Sequence, residues 1–244
     1  MDFVAKTDVG LKRKNNEDSY FAKKYSKDIS ICIVADGLGG YEGGEVASNI
    51  LVTKMSEYFE SNINEKLNEE KYVKDVLIDA LNIANLEIYK LEKTDVKYKG
   101  MGTTVSLVAI IYGKIYYLSV GDSRIYYTDK NMLDLIQVTE DDTYVNTLIK
   151  TNVINKEEAD NHPQKHVLTK AVGIFENIET IVHILEKDSG YIMLCTDGIT
   201  NMLSNKETLQ ILRKNKFENL AEKLISKANE NGGLDNSTAI VIKL

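Results

Sequence analysis

The 244-residue chain carries 37 acidic against 30 basic residues, a net charge of −7, so a polyanionic partner such as nucleic acid is electrostatically disfavoured. Its two cysteines, Cys32 and Cys195, lie far apart in apolar runs without a neighbouring histidine; this argues against zinc and a disulfide, and for buried thiols in a reducing compartment. No basic segment followed by an apolar one opens the chain, and no window approaches the apolar length of a membrane span, so a soluble cytoplasmic protein without membrane insertion is expected.

Pro163 is the sole proline and no low-complexity stretch interrupts the sequence, so residues 1–244 are expected to fold as one domain. A β-branched run over 29–35 predicts the first strand. Apolar residues at helical spacing follow over 46–58 (Val46, Ala47, Ile50, Leu51, Met55, Tyr58) and over 73–91 (Val73, Leu77, Ala80, Leu81, Ala84, Ile88, Leu91). Strands are then predicted over 103–112, 114–120, 124–128, 178–185 and 190–195, a helix over 217–228, and a last strand over 237–242. The tight connections at Gly113 and at Gly121-Asp122-Ser123 favour antiparallel meanders over repeated parallel units, which places the chain in class α+β.

Acids sit at the strand ends. The runs 31–35 and 192–196 stop at Asp36-Gly37 and Asp197-Gly198, the strand over 114–120 ends in Gly121-Asp122, and Gly232-Gly233-Leu234-Asp235 precedes the last strand. A glycine beside each acid lets the backbone turn sharply and bring a carbonyl close to a ligand. Carboxylates gathered in one place repel, and either cations or raised pKa values must relieve them. Oxygen donors with water completing the shell suit Mg²⁺ or Mn²⁺. Five of the 15 glycines (Gly37, Gly39, Gly40, Gly43 and Gly44) crowd the loop opening the first helix, where an ion or anion can be wrapped. Only Arg13, Arg124 and Arg213 among the 30 basic residues are arginines, and Arg13 beside Asn16-Glu17-Asp18 offers a bidentate fork that matches phosphate. Phosphate chemistry is the leading reading.

These residues resemble the metal-dependent type 2C serine/threonine protein phosphatases, most closely the short stand-alone bacterial members. The likeness runs in order through Thr7-Asp8-Val9-Gly10, Arg13, Asn16-Glu17-Asp18, Val34-Ala35-Asp36-Gly37-Leu38-Gly39-Gly40, Gly44-Glu45-Val46-Ala47-Ser48 and Gly102-Thr103-Thr104. It continues through Val120-Gly121-Asp122-Ser123-Arg124, Leu168-Thr169-Lys170-Ala171-Val172-Gly173, Thr196-Asp197-Gly198 and Gly233-Leu234-Asp235-Asn236-Ser237-Thr238. Each stretch alone is weak; the ordered set is specific.

The resemblance implies a four-layer α-β-β-α sandwich of two mostly antiparallel sheets flanked by helices. It also implies a phosphoprotein phosphatase hydrolysing phosphoserine and phosphothreonine by a hydroxide shared between two cations, Mn²⁺ or Mg²⁺. Asp36 then bridges the two ions, the Gly37 carbonyl holds one, Asp197 and Asp235 hold the other, and Asp122 with Asp197 takes a third, weaker ion. Glu17 and Asp18 orient metal-bound waters, and Arg13 grips the phosphoryl group. Expected partners are phosphorylated proteins, substrates of a bacterial serine/threonine kinase, for an enzyme acting as a monomer. Competing readings are a catalytically silent metal-binding interaction module and a small-metabolite phosphatase; loss of a bridging acid or of the arginine would favour the silent module, and all are present.

Two departures stand out. Leu38 takes the place where eukaryotic relatives carry a proton-donating histidine, so a metal-bound water is the simplest proton source. Where relatives carry Thr-x-Asp-His-Ser, this chain has Thr139-Glu140-Asp141-Asp142-Thr143, of which 140–142 read as a solvated acidic turn. Residues 141–166 match a variable flap, with His162 and His166 as packing or solvent residues and His183 as structural.

Overall fold

In the computed structural model, residues 2–40 and 42–244 are described. The strands are β1 (Asp2–Asp8), β2 (Asp18–Lys24), β3 (Ile29–Leu38), β4 (Gly102–Thr103), β5 (Val105–Ile111), β6 (Lys114–Val120), β7 (Arg124–Thr128), β8 (Ile136–Gln137), β9 (His183–Leu185), β10 (Tyr191–Cys195) and β11 (Ser237–Lys243). The α-helices are α1 (Gly43–Ser61), α2 (Glu70–Thr94), α3 (Tyr144–Lys150), α4 (Lys156–Asp160), α5 (Asp197–Thr200), α6 (Asn205–Lys214) and α7 (Leu220–Glu230). One sheet runs β1-β11-β10-β7-β8, the other β2-β3-β5-β6-β9 with β4 on β3, and every pairing is antiparallel.

Three apolar clusters stack the layers in order. Ile31, Ile33, Leu107 and Leu118 from one face of the second sheet pack under Leu51, Met55, Leu77 and Leu81 of α1 and α2. The opposite face, Cys32, Val34 and Val108, meets Ile125, Ile192, Leu194, Ile240 and Ile242 of the first sheet. The outer face of that sheet, Met193, Cys195, Ala239 and Val241, packs under Leu212 of α6 and Leu224 and Ile225 of α7. Alternation along β3 therefore feeds two cores at once, as a strand between a helical layer and a second sheet must. The four-layer order is the one the resemblance implied. No helix among the described residues is long and apolar enough to cross a membrane.

Four expectations change. The predicted strand over 178–185 shrinks to His183–Leu185, and β3 runs three residues past Ala35, so Asp36 and Gly37 lie within its final residues rather than beyond its tip. Gly121-Asp122-Ser123 does not close a hairpin: β6 and β7 belong to different sheets, and the turn carries the chain from one layer to the other across the end of the sandwich. Gly121 supports that turn with φ +96. The acidic turn is not simply solvated, because Arg124 donates from Nε and Nη2 to Asp141 at 2.7–3.0 Å and Asp142 accepts from Gly121 N at 3.1 Å.

Candidate metal centre

Both sheets end at the same edge of the sandwich, and that edge opens into a cleft of about 680 Å³ whose wall includes Arg13, Glu17, Asp36, Gly37, Asp122, Asp197 and Asp235. All the sequence-predicted site residues except Asp18 line it; Asp18 sits just behind, paired in register with Asp36 across β2 and β3. Five elements of the sequence, hundreds of residues apart at the extremes, thus deliver acid to one place.

Polar groups fix the acids from behind. Asp18 accepts hydroxyl hydrogen bonds from Thr238 (2.6 Å) and Thr196 (2.8 Å) on Oδ2, leaving Oδ1 buried without a partner among the described residues. Thr104 Oγ1 accepts from the Asp36 amide at 2.9 Å and bonds Ser123 Oγ at 2.7 Å, tying the β3 end to the inter-sheet turn. Asn201 donates to Asp197 Oδ2 at 2.9 Å, while Asp197 Oδ1 is a second buried oxygen without a hydrogen-bond partner among the described residues. Asn236 is buried and accepts from the Glu17 amide at 2.8 Å while donating to Val9 O and Asn15 O at 2.9 Å, so one amide holds the whole loop that carries Arg13.

Glycine at 37 and at 44 is a packing requirement. A Cβ on Gly37 would collide with the Gly44 carbonyl, and one on Gly44 would meet the Gly37 carbonyl at 2.8 Å and the Glu17 carboxyl carbon at 2.9 Å. The Gly37 carbonyl and the Glu17 carboxyl are therefore neighbours across the first turn of α1.

Electrostatics mark the site as one built for cations. Burial, and then the charges of Asp18, Asp197, Asp122 and Asp235, push the Asp36 carboxyl well above its ordinary 3.8. Burial and Asp197 push Asp122 to about 7. Burial raises Asp18 to about 7 against the opposing pull of its two hydroxyl donors, and burial followed by Asp235 raises Asp197. Acids left in this condition without a counter-ion are protonated or strained. Arg13 ion-pairs with the cluster: its Nη2 donates to Asp235 Oδ2 at 2.8 Å, and its side chain is 51% exposed at the cleft mouth. A divalent ion fits this donor set of partnerless carboxylate oxygens with a carbonyl within reach. Among the described residues no three acidic, His or Cys side chains close a metal cage by themselves, as expected where carbonyl and water oxygens complete the coordination.

The Protein phosphatase 2C sequence profile matches residues 12–237. The chain belongs to the protein phosphatase 2C family. It is a protein serine/threonine phosphatase, a phosphoric monoester hydrolase, and phosphatases of this type depend on divalent metals. Protein phosphatase PhpP of Streptococcus pneumoniae is 34% identical over 248 residues, covering 100% of this chain and 98% of that one. The serine/threonine phosphatase of S. agalactiae superposes with a TM-score of 0.89 at 32% identity, covering 100% and 99% of the two chains. The catalytic domain of the phosphatase PstP, solved with two manganese ions, superposes with a TM-score of 0.83 at 29% identity over 98% and 96%.

Several residues of this phosphatase site were not singled out for a role by sequence reasoning: Thr196, Thr238, Thr104, Ser123, Asn201 and Asn236. Thr196, Ser123 and Asn236 lie beside an acid that was, which is the one signal available; that Thr196 and Thr238 converge on Asp18 is a tertiary fact. His166, expected among packing or solvent residues, lines the cleft. His183 stacks on Tyr117 at 5.1 Å, and His162 tilts against Tyr144 at 6.0 Å.

Proposed function

We propose that this phosphatase uses a dinuclear Mn²⁺ or Mg²⁺ centre held by Asp36, the Gly37 carbonyl, Asp197 and Asp235, with a third ion at Asp122 and Asp197. It acts on phosphoserine and phosphothreonine of cytoplasmic proteins, opposing a serine/threonine kinase, and works as a monomer of one catalytic domain. The observation that carries this reading is the convergence of Asp36, Asp122, Asp197 and Asp235 in one cleft, with Asp18 directly behind Asp36 and Arg13 at the mouth, burial and mutual repulsion raising Asp18, Asp36, Asp122 and Asp197.

When bound, divalent cations would supply a water of lowered pKa near neutral pH and would neutralise phosphoryl charge. Asp36, central to the cluster, would hold the ions together with its neighbouring acids. Glu17 and Asp18 accept hydrogen bonds from the surrounding waters and orient them; Asp18 is itself fixed by the Thr196 and Thr238 hydroxyls. Arg13 releases Asp235 and turns its fork to two phosphoryl oxygens, where positive charge counts most as negative charge spreads over the equatorial positions. Leu38 has no proton to give, so the leaving alkoxide is protonated by water.

Residues 141–166 form the flap. Its ends are clasped by Tyr144 N to Val167 O (2.8 Å), Thr169 N to Asp142 O (2.8 Å) and Asp142 N to Gly121 O (2.9 Å), so the segment is anchored at the inter-sheet turn while α3 and α4 stand over the Asp122 side of the cleft. Calorimetric titration with Mn²⁺ tests the centre: two tight equivalents are expected for the wild type and neither intact in Asp36→Asn. Unchanged stoichiometry and affinity in that variant would refute the assignment of Asp36.

A further inference from the structure

Beside the cleft runs a second groove of about 420 Å³, walled mainly by the apolar Leu38, Leu168, Ala171, Ile174 and Phe175, with His166, Thr169 and Lys170 completing the lining. It shares Leu38 and Leu168 with the cleft, so the two are continuous. Its outer wall is built rather than slack. Asn85 of α2 is buried, and its side chain clamps the loop after Val172: Nδ2 donates to the carbonyls of Phe175 and Glu176 at 3.0 Å each, and Oδ1 accepts from the Gly173 amide at 2.8 Å. Gly173 holds φ +89 against Ile88, where any Cβ would collide. Val172 is bonded in both directions to Thr103, at 2.8 and 3.0 Å. This fixed loop nevertheless presents Phe175 at 61% exposure. A large aromatic held in water by a buried polar clamp has no packing role to explain it, and such a residue at a groove mouth is the type of anchor that binding surfaces use.

We propose that this groove is a specificity subsite that takes one large apolar side chain of the protein substrate, close in sequence to the phosphorylated residue. The inference rests on the phosphoprotein reading of the cleft. Continuity decides the occupant: a polypeptide whose phosphoryl group lies among Arg13 and the acids runs out over the rim, and on this side the rim is the Leu38–Leu168 wall. The groove has room for one or two side chains and no more.

The test uses the full-length, metal-loaded enzyme and phosphothreonine peptides in a Gly/Ser background, with leucine moved one position at a time through the residues on each side. At one position or two adjacent ones leucine should raise kcat/KM about tenfold, equivalent to about 1.4 kcal/mol, mainly through KM. Phe175→Ser should abolish that advantage, Phe175→Leu should retain most of it, and both should leave p-nitrophenyl phosphate turnover and the leucine-free peptide unchanged. Because Phe175 is exposed, neither substitution threatens folding. A leucine advantage absent at every position, or undiminished in Phe175→Ser, overturns the subsite. A wild type that cleaves p-nitrophenyl phosphate but not the leucine-free peptide overturns instead the phosphoprotein reading beneath it.

Discussion

Asp122→Asn is expected to stabilise the metal-free protein at pH 8 while impairing catalysis. Asp122 is desolvated and faces Asp197, and its carboxyl is pushed from 3.8 to about 7. An acid with a raised folded-state pKa binds its proton more tightly in the native chain than in the unfolded one. Its stability contribution is therefore intact below the unfolded value and is lost as pH rises toward the folded one. At 1.36 kcal/mol per pH unit the cost of keeping this group ionised at pH 8 approaches about 4 kcal/mol. Water at the cleft screens part of that, leaving a gain on the order of 2 kcal/mol for the neutral amide. In a chain of this size that raises Tm by roughly 4–8 °C. Circular-dichroism melts in EDTA provide the assay: the variant should exceed the wild type at pH 8, the margin should fall to about a third at pH 5, and added Mn²⁺ should stabilise the wild type more than the variant. Equal margins at the two pH values, or a variant less stable than the wild type at pH 8 in EDTA, would refute the electrostatic account.

Other substitutions probe the remaining parts. Arg13→Ala removes a charge-assisted contact worth about 1.5–3 kcal/mol and should lower kcat/KM roughly ten- to a hundredfold, with Mn²⁺ affinity unchanged or higher since the Asp235 partner is released; weaker metal binding by calorimetry would make Arg13 a positioning residue for the acids. Arg13→Lys keeps the charge but loses the fork and should not restore phosphate binding. Asn236→Ala strips three hydrogen bonds of 2.8–2.9 Å from a buried amide and should cost about 3 kcal/mol, a Tm fall of roughly 6–12 °C; an unshifted melt would show that the Arg13 loop is held by something else. Cys32 and Cys195 are buried, and desolvation raises the Cys195 thiol to about 12, so iodoacetamide should neither label the native protein nor change its rate.

The site was more legible in the sequence than the architecture around it. Asp36, Asp122, Asp197 and Asp235 each stand at the end of an apolar run or beside a glycine pair, a local signal that survives without tertiary information. β1 and β2 left no such signal because both are edge strands, half-buried and carrying Asp2, Lys6 and Lys24 at exposed positions; an edge needs no continuous apolar run, and charge there guards against aggregation. Helix α6 was missed although Ser204 and Glu207 form a capping box in front of it, a readable cue with too few apolar residues behind it to attract notice. Gly121-Asp122-Ser123 shows the deeper limit. A short glycine turn between two strands looks the same whether it closes a hairpin or crosses between layers, and only the pairing of β7 with β10 decides. The Arg124–Asp141 pair, likewise, is set by where that crossing lands.

Turnover is expected to depend on cations gathered by Asp36 and its neighbouring acids. The most direct measurement is phosphate release from a phosphothreonine peptide by exhaustively chelated and dialysed enzyme, with Mn²⁺ or Mg²⁺ then restored, for the wild type and for Asp36→Asn side by side. The account predicts negligible turnover after chelation, recovery on adding either ion to the wild type, and no recovery in Asp36→Asn. Full turnover without metal, or full recovery in Asp36→Asn, would contradict it.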